Sequence, residues 1–226
     1  MSRLRCAPAR VRLAQLPTRA HRLSRLSDEL GIELWVKRDD ETGTDLSGNK
    51  VRKLEYLLAE AQAESADIVL TCGGIQSNHC RATALAARRL GMDSLLFLRG
   101  AEPEAWTGNL LLDRLVGAET RFITPAQYAD RGALLASAAA ELRAAGRRPY
   151  VIPEGGSNAL GSWGYVGLLA ELLDADSESA SLPGGITSSV RPAPEGRSRA
   201  DAGPTTSARV RVWLVAQTAD VGRPRL

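Results

Sequence analysis

Only three of the 29 basic residues are lysines: Lys37, Lys50 and Lys53, all within a stretch of seventeen residues. Chemistry that needs a side-chain primary amine, above all Schiff-base formation with a carbonyl compound, must draw on one of them. Lys50 stands in the run Leu46-Ser47-Gly48-Asn49-Lys50-Val51-Arg52-Lys53-Leu54, where a glycine-containing loop leads into an amphipathic helix. At the first turn of a helix the unpaired N–H groups and the macrodipole disfavour a cation. An ammonium placed there is expected to have a lowered pKa, and a neutral amine is what Schiff-base chemistry uses. A solvated lysine at a helix end fits the same residues.

Two further runs have a related form. Cys72-Gly73-Gly74-Ile75-Gln76-Ser77-Asn78-His79 and Ile152-Pro153-Glu154-Gly155-Gly156-Ser157-Asn158 each read as strand end, glycine pair, polar cap and helix start. Glycines permit close backbone approach, and a helix N-terminus attracts an anion. Ser77 or Asn78, and likewise Ser157 or Asn158, also suit ordinary N-caps. His79 suits packing at a helix start better than a role as base. Neither run is a dinucleotide fingerprint or a P-loop. Several such loops converging on one crevice would make a small-molecule site.

The elements that must position these loops alternate along the chain. Strands are expected at residues 32–37, 67–71, 94–98, 121–123 and 150–152, and helices at 50–63, 78–90, 109–116, 126–145 and 159–173. In the first helix Leu54, Leu57, Leu58 and Ala61 have the spacing of one buried face. The continuous apolar run Ile68-Val69-Leu70 suits a strand covered on both sides. Strand–helix alternation implies an α/β fold with a mostly parallel sheet. After residue 173 the composition turns to Ser, Pro, Gly, Ala and Arg, which reads as a long loop or disordered tail over 174–208. A strand-like run returns at 210–216.

Composition narrows the classes. The chain has 226 residues, 44% hydrophobic and 24% charged, enough for one large domain or two small ones. Seven arginines and no acid fall in residues 1–25, whereas residues 26–173 carry a net charge of −5. An acidic body without interleaved basic and aromatic residues implies no nucleic-acid partner. No apolar run reaches the roughly eighteen residues of a membrane helix, so no membrane partner is expected. Three cysteines and two histidines without a CxxC pair make neither a disulfide scaffold nor a metal site. The Arg-rich start could serve as a transit peptide, but the default setting is cytoplasmic and reducing.

Taken together, Leu34-Trp35-Val36-Lys37-Arg38-Asp39-Asp40, Ser47-Gly48-Asn49-Lys50-Val51-Arg52-Lys53-Leu54-Glu55, Gly73-Gly74-Ile75-Gln76-Ser77-Asn78-His79 and the segment from Ile152 to Asn158 resemble the D-cysteine desulfhydrase and 1-aminocyclopropane-1-carboxylate (ACC) deaminase family. The resemblance covers roughly residues 12–173. It implies the tryptophan synthase β-like fold (PLP fold type II), with two open parallel-sheet domains and pyridoxal 5'-phosphate as cofactor. It implies that Lys50 binds the cofactor covalently and serves as base, and that Asn78 bonds its phenolic oxygen. Ser77 would meet the substrate carboxylate or act as nucleophile, with Gln76 and His79 lining the substrate pocket. The implied reaction is conversion of D-cysteine to pyruvate, H2S and ammonia, with deamination of ACC as the alternative. A small amino-acid substrate and, for a complete fold, a homodimer follow.

That resemblance also places domain boundaries. A small α/β domain is expected at 53–160, and a larger cofactor-binding domain from 1–52 plus 161–226. The family's later half carries a Gly/Thr/Ser-rich phosphate loop, a tyrosine near the substrate and a residue facing the pyridine nitrogen. Residues 181–189 hold Gly184-Gly185 without that loop's pattern. The expected larger domain is therefore incomplete, through truncation or a shifted reading frame, and an inactive remnant is the competing expectation.

Overall fold

The run Ile68-Val69-Leu70 lies in a strand buried on both faces, and the surrounding elements are arranged to cover it. In this computed structural model, which describes residues 7–180 and 211–215, the chain forms β1 (Ala20–Arg22), α1 (Ser24–Leu30), β2 (Glu33–Lys37), α2 (Lys50–Ala63), β3 (Ile68–Gly74), α3 (Asn78–Arg89) and β4 (Asp93–Arg99). It continues through α4 (Gly108–Leu115), β5 (Glu119–Ile123), α5 (Pro125–Ala129), α6 (Arg131–Ala144), β6 (Pro149–Val151), α7 (Ala159–Ala180) and β7 (Arg211–Val215). The larger sheet is wholly parallel, in the order β5-β4-β3-β6. The smaller has the order β1-β2-β7, with β1 antiparallel and β7 parallel to β2.

Side chains alternate across the larger sheet with period two. Val69 packs with Leu54, Leu57 and Leu58 of α2 and Ala82 and Ala86 of α3. Its neighbours Ile68, Leu70 and Cys72, with Leu95 and Phe97, turn the other way onto Leu135, Ala138 and Ala139 of α6. Leu96 and Leu98 meet Cys80, Ala84 and Leu110. The sheet is thus the middle of three layers. From β3 the chain steps outward to β4 and β5, then returns to place β6 on the other flank of β3. The carboxyl ends of β3 and β6 therefore flank the point where the crossovers diverge, which is where open α/β sheets bind ligands.

Four expectations change. The single helix expected over 126–145 is two helices. Thr124 and Gln127 form a capping box with Pro125 at the first position, and the backbone leaves helical angles at Asp130 (φ −101°, ψ 35°). The loop expected from 174 does not start there, because α7 runs to Ala180. No glycine or proline interrupts 168–180, and its Leu, Ala and Glu residues favour a helix. Residues 181–208 of that expected loop lie outside the described residues. Third, β1 and α1 carry almost no periodic signal. Ser27 is the buried residue of α1, and its hydroxyl accepts from the Leu34 amide at 2.9 Å. Lastly, β3 extends through both glycines of Cys72-Gly73-Gly74.

One buried ion network joins β2, α2 and α7. Arg52 (1% exposed) donates to Asp39 (0%) through two nitrogens at 2.7 and 2.8 Å, and to Glu171 (11%) at 2.8 and 3.0 Å. Lys37 (2%) pairs with Glu171 at 2.7 Å and donates to the Thr18 carbonyl. Thr18 Oγ1 completes the set, donating to Asp39 at 2.9 Å. Burial pulls the Arg52 pKa down, but the two carboxylates outweigh it and hold the guanidinium above its ordinary value. Removing one partner from a buried ionic set leaves the others uncompensated. Arg52→Ala should therefore cost roughly 3–5 kcal/mol in urea denaturation. A loss below about 1 kcal/mol, the range of surface pairs, would show that the network carries little stability.

Candidate active site

Three loops converge at the carboxyl edge of β3 and β6. The first runs into α2. Arg81 of α3, itself buried, donates to the Ser47 carbonyl at 2.8 Å. On the other side, Asn49 donates to the Tyr165 hydroxyl of α7 at 2.7 Å. Lys50, the first residue of α2, is thus held between α3 and α7. The three lysines then separate by environment. Lys37 is committed to Glu171 in the buried network. Lys53 donates to Ser157 Oγ at 2.9 Å and lies 5.5 Å from the Tyr165 ring centroid. Burial, then the charge of Lys50, lowers the Lys53 pKa. Lys50 is half-buried, and its side-chain amine forms no hydrogen bond or ion pair with any described residue.

The second loop joins β3 to α3. A Cβ at Gly73 would lie 2.6 Å from Ser77 Oγ and 2.8 Å from Cys80 Sγ, so the turn closes over α3 only with glycine there. A Cβ at Gly74 would meet nothing within 4 Å, which leaves that edge open. Ser77 is the N-cap of α3, its Oγ accepting from the Cys80 amide at 3.2 Å. Asn78 follows as the first helical residue, and its Oδ1 accepts from Asn109 Nδ2 at 2.8 Å. Gln76 is used structurally: its Oε1 accepts from the Asn109 amide at 2.8 Å and its Nε2 donates to the Thr107 carbonyl at 3.0 Å. It thereby satisfies an amide in the first turn of α4, where Thr107 makes no side-chain cap.

His79 is buried beneath this turn, 2.9 Å from Thr71 Oγ1 through Nε2. Burial first, then the charges of Lys50 and Lys53, push its pKa down to about 3. Its Nδ1 has no hydrogen bond of good geometry, although the Pro153 carbonyl acts on the ring. The charges of Lys50 and Lys53 reach this imidazole, so both amines lie near the 77–79 turn.

The third loop, after β6, supplies Ser157 to Lys53, while Asn158 Oδ1 accepts from the Gly161 amide at 2.8 Å and starts α7. Beside it opens a cleft of about 690 Å3 lined by Cys72, Arg131, Glu154 and Gly155. Arg131 pairs with Glu154 at 2.9 Å, and the Tyr128 hydroxyl donates to the same carboxylate. One turn beyond Asn109, Asp113 is buried and its carboxylate has no hydrogen-bond partner. Burial raises its pKa to about 7 against the opposing pull of Arg81.

The structure brings the Lys50 charge within electrostatic reach of His79, sets Ser77 and Asn78 at the start of the same helix, and ties Gln76 to α4 through Asn109. Reading the sequence missed Asn109, Arg81, Asn49 and Tyr165. Asn109 at a helix start looks like any cap, and nothing in the chain distinguishes Arg81 among the many arginines. Among the described residues no helix is long and apolar enough to cross a membrane.

Comparison with known proteins supplies the family. Residues 11–190 match the family described as pyridoxal-phosphate dependent enzyme. The chain belongs to that family. It is 50% identical over 179 residues to the bifunctional D-cysteine desulfhydrase/1-aminocyclopropane-1-carboxylate deaminase, mitochondrial, of Arabidopsis thaliana, covering 76% of this chain and 45% of that protein. It is 45% identical to a D-cysteine desulfhydrase of Klebsiella pneumoniae, covering 70% and 49%. Among solved structures, an ACC deaminase homologue superposes with TM-score 0.67 at 43% identity, covering 74% of this chain and 50% of that one. Diaminopropionate ammonia lyase of Escherichia coli, at 19% identity and TM-score 0.59, shares the fold. The chain spans about half the length of the curated relatives it matches. The family, the tryptophan synthase β-like fold and the pyridoxal-phosphate cofactor read from the motifs are thus met.

Two pH dependences follow. His79 binds fewer protons folded than unfolded between about pH 6.5 and 3, so the stability it contributes is present above that window and is lost as pH falls through it. Unfolding free energy measured from pH 7 to 4 should fall less steeply in His79→Gln than in the natural chain. Parallel slopes would show that the imidazole is not buried neutral. Asp113 acts in the opposite sense: the folded state holds the extra proton between about pH 4 and 7, so its ionisation destabilises as pH rises. Asp113→Asn should be more stable than the natural chain at pH 8, with the gain vanishing toward pH 4. Equal stability at pH 8 would refute it.

Proposed function

We propose that this chain carries the amine-bearing side of a pyridoxal-phosphate site that catalyses β-elimination from a small D-amino acid, D-cysteine giving pyruvate, H2S and ammonia. The single observation that supports this most is the sorting of the three lysines. Lys37 and Lys53 have partners, and Lys50 stands at the helix start facing the 77–79 turn without one among the described residues.

The donor set fits the cofactor. Lys50 Nζ provides an amine for its aldehyde, and Asn78 provides an amide for its ring oxygen. Ser77 lies beside the open edge at Gly74, where a carboxylate has room. When bound, pyridoxal phosphate supplies an electron sink for the pair left on the substrate's α-carbon. Lys50 Nζ would be the base that takes the α-proton. Ser77 Oγ accepts from the Cys80 amide, and its hydroxyl is the donor proposed for a substrate carboxylate. The first-turn amides of α3 add to that attraction. The buried, neutral His79 adds no charge beneath the site.

ACC deamination is the second reading. It has no α-proton to remove and needs a nucleophile, for which Ser77 is the candidate. Activating a serine takes an adjacent base. Among the described residues no carboxylate or imidazole is bonded to Ser77 Oγ, which favours the elimination reading. A cytoplasmic setting and a homodimer belong to the same proposal. Cys72 and Cys80, buried and unpaired, suit a reducing compartment.

Mixing the full chain with pyridoxal phosphate should produce a long-wavelength absorption band that free cofactor lacks. Borohydride should then fix the label at position 50, and Lys50→Ala should show neither effect. A band retained in that variant, or none in folded natural protein, would sink the assignment. Sulfide released from D-cysteine, against ammonia released from ACC, separates the two substrates.

A further inference from the structure

We propose that Asn109 of α4 fixes the orientation of the Asn78 amide and so acts as a positioning residue for the cofactor-facing side chain of the site. The inference rests on the reading above for what Asn78 meets, but its geometry stands apart from that reading. Asn109 is 4% exposed. Its Nδ2 donates one hydrogen to the Gln76 carbonyl at 2.8 Å and the other to Asn78 Oδ1 at 2.8 Å.

A main-chain carbonyl can only accept. The Asn109 atom facing Gln76 O must therefore be the nitrogen, and the Asn78 atom facing its second hydrogen must be the oxygen. Amide orientations are ordinarily inferred from a network rather than seen. Here the network ends on an unambiguous acceptor, so the inference has one solution. Asn109 itself cannot swing away, because its main-chain N–H is held by Gln76 Oε1 and Gln76 Nε2 is held by the Thr107 carbonyl. With its oxygen turned to α4, the Asn78 amide has its nitrogen on the opposite side of the group. A donor edge suits a ring oxygen that gathers negative charge, and an acceptor edge would repel it. The position of α4 is thereby coupled to the polarity that the site shows its cofactor.

The test uses the full chain, uniformly 15N-labelled, with the side-chain amide of Asn78 assigned from its disappearance in Asn78→Ala. Two variants remove the donor: Asn109→Leu, which carries none, and Asn109→Asp, which at pH 8 presents acceptors only. Without cofactor, each should shift the Asn78 side-chain amide resonances. With pyridoxal phosphate, each should change the band's maximum and pH dependence in the same direction as Asn78→Ala. Binding should weaken about tenfold, the size of one lost hydrogen bond. Adding Asn78→Ala to Asn109→Leu should change the band no further than Asn78→Ala alone. Leu110→Ala, a core truncation in the same helix, should lower stability and leave the band in place, which a merely structural role of Asn109 would not separate.

Unmoved Asn78 resonances in a folded Asn109 variant would overturn the proposal. So would shifted resonances with an unchanged band. If one variant fails to fold, the other decides. Absence of any band in the natural chain sinks the cofactor assignment alone, and the Asn78 resonances still decide whether Asn109 orients the amide.

Discussion

The position of α2 depends on a buried set of two positive and two negative charges. Arg52 bridges Asp39 and Glu171, and Lys37 closes the set against Glu171. Charges taken out of water are tolerable only when each finds a partner of good geometry. The set therefore admits one arrangement of β2, α2 and α7. Gly164 makes that arrangement possible. A Cβ there would lie 2.5 Å from the Arg52 carbonyl oxygen, so α7 reaches the backbone of α2 only without a side chain at this point. Lys50 lies two residues before Arg52. A lysine side chain is flexible, and what the network fixes is the point from which it starts.

The loops around Lys50 are held by exchange between them rather than by any one alone. Arg81 of α3 holds the turn before α2, Lys53 of α2 reaches the loop after β6, and Gln76 and Asn109 trade donors and acceptors between the β3–α3 turn and α4. Each bond is modest, on the order of 1 kcal/mol. Their value lies in satisfying helix-terminal and loop groups that would otherwise stay buried without partners. Burial, reinforced by the charges of Lys50 and Lys53, keeps His79 neutral beneath the turn.

Family membership and local geometry bear on different questions. The match over residues 11–190 establishes a pyridoxal-phosphate enzyme fold, and the relatives are about twice as long. Within the described residues Lys50 and the Ser77–Asn78 helix start lie on neighbouring helices, with the Lys50 charge reaching His79. The elimination reading over ring opening rests on a single local fact, that among the described residues no carboxylate or imidazole is bonded to Ser77 Oγ, which accepts from the Cys80 amide.

The sequence by itself determined the layered fold and the candidate residues, because both depend on local pattern. Apolar runs such as Ile68-Val69-Leu70 can only be buried on both faces, helical spacing at Leu54, Leu57, Leu58 and Ala61 selects one inward face, and a glycine before a polar residue marks a helix start. Local pattern failed where burial is slight, as in α1 with its one buried serine, and where a break is made by a cap inside a helical run, as at Asp130. Only the tertiary structure decided that Lys37 and Lys53 are taken up by other partners, that Gln76 serves as a cap for α4, and that Asn109 and Arg81 bond the loops carrying the candidate residues. Those are matters of partners 31 to 34 residues apart in the chain or more, brought together by sheet order and helix packing. A side chain's chemistry is written in its residue type, but its availability is set by what the fold places against it.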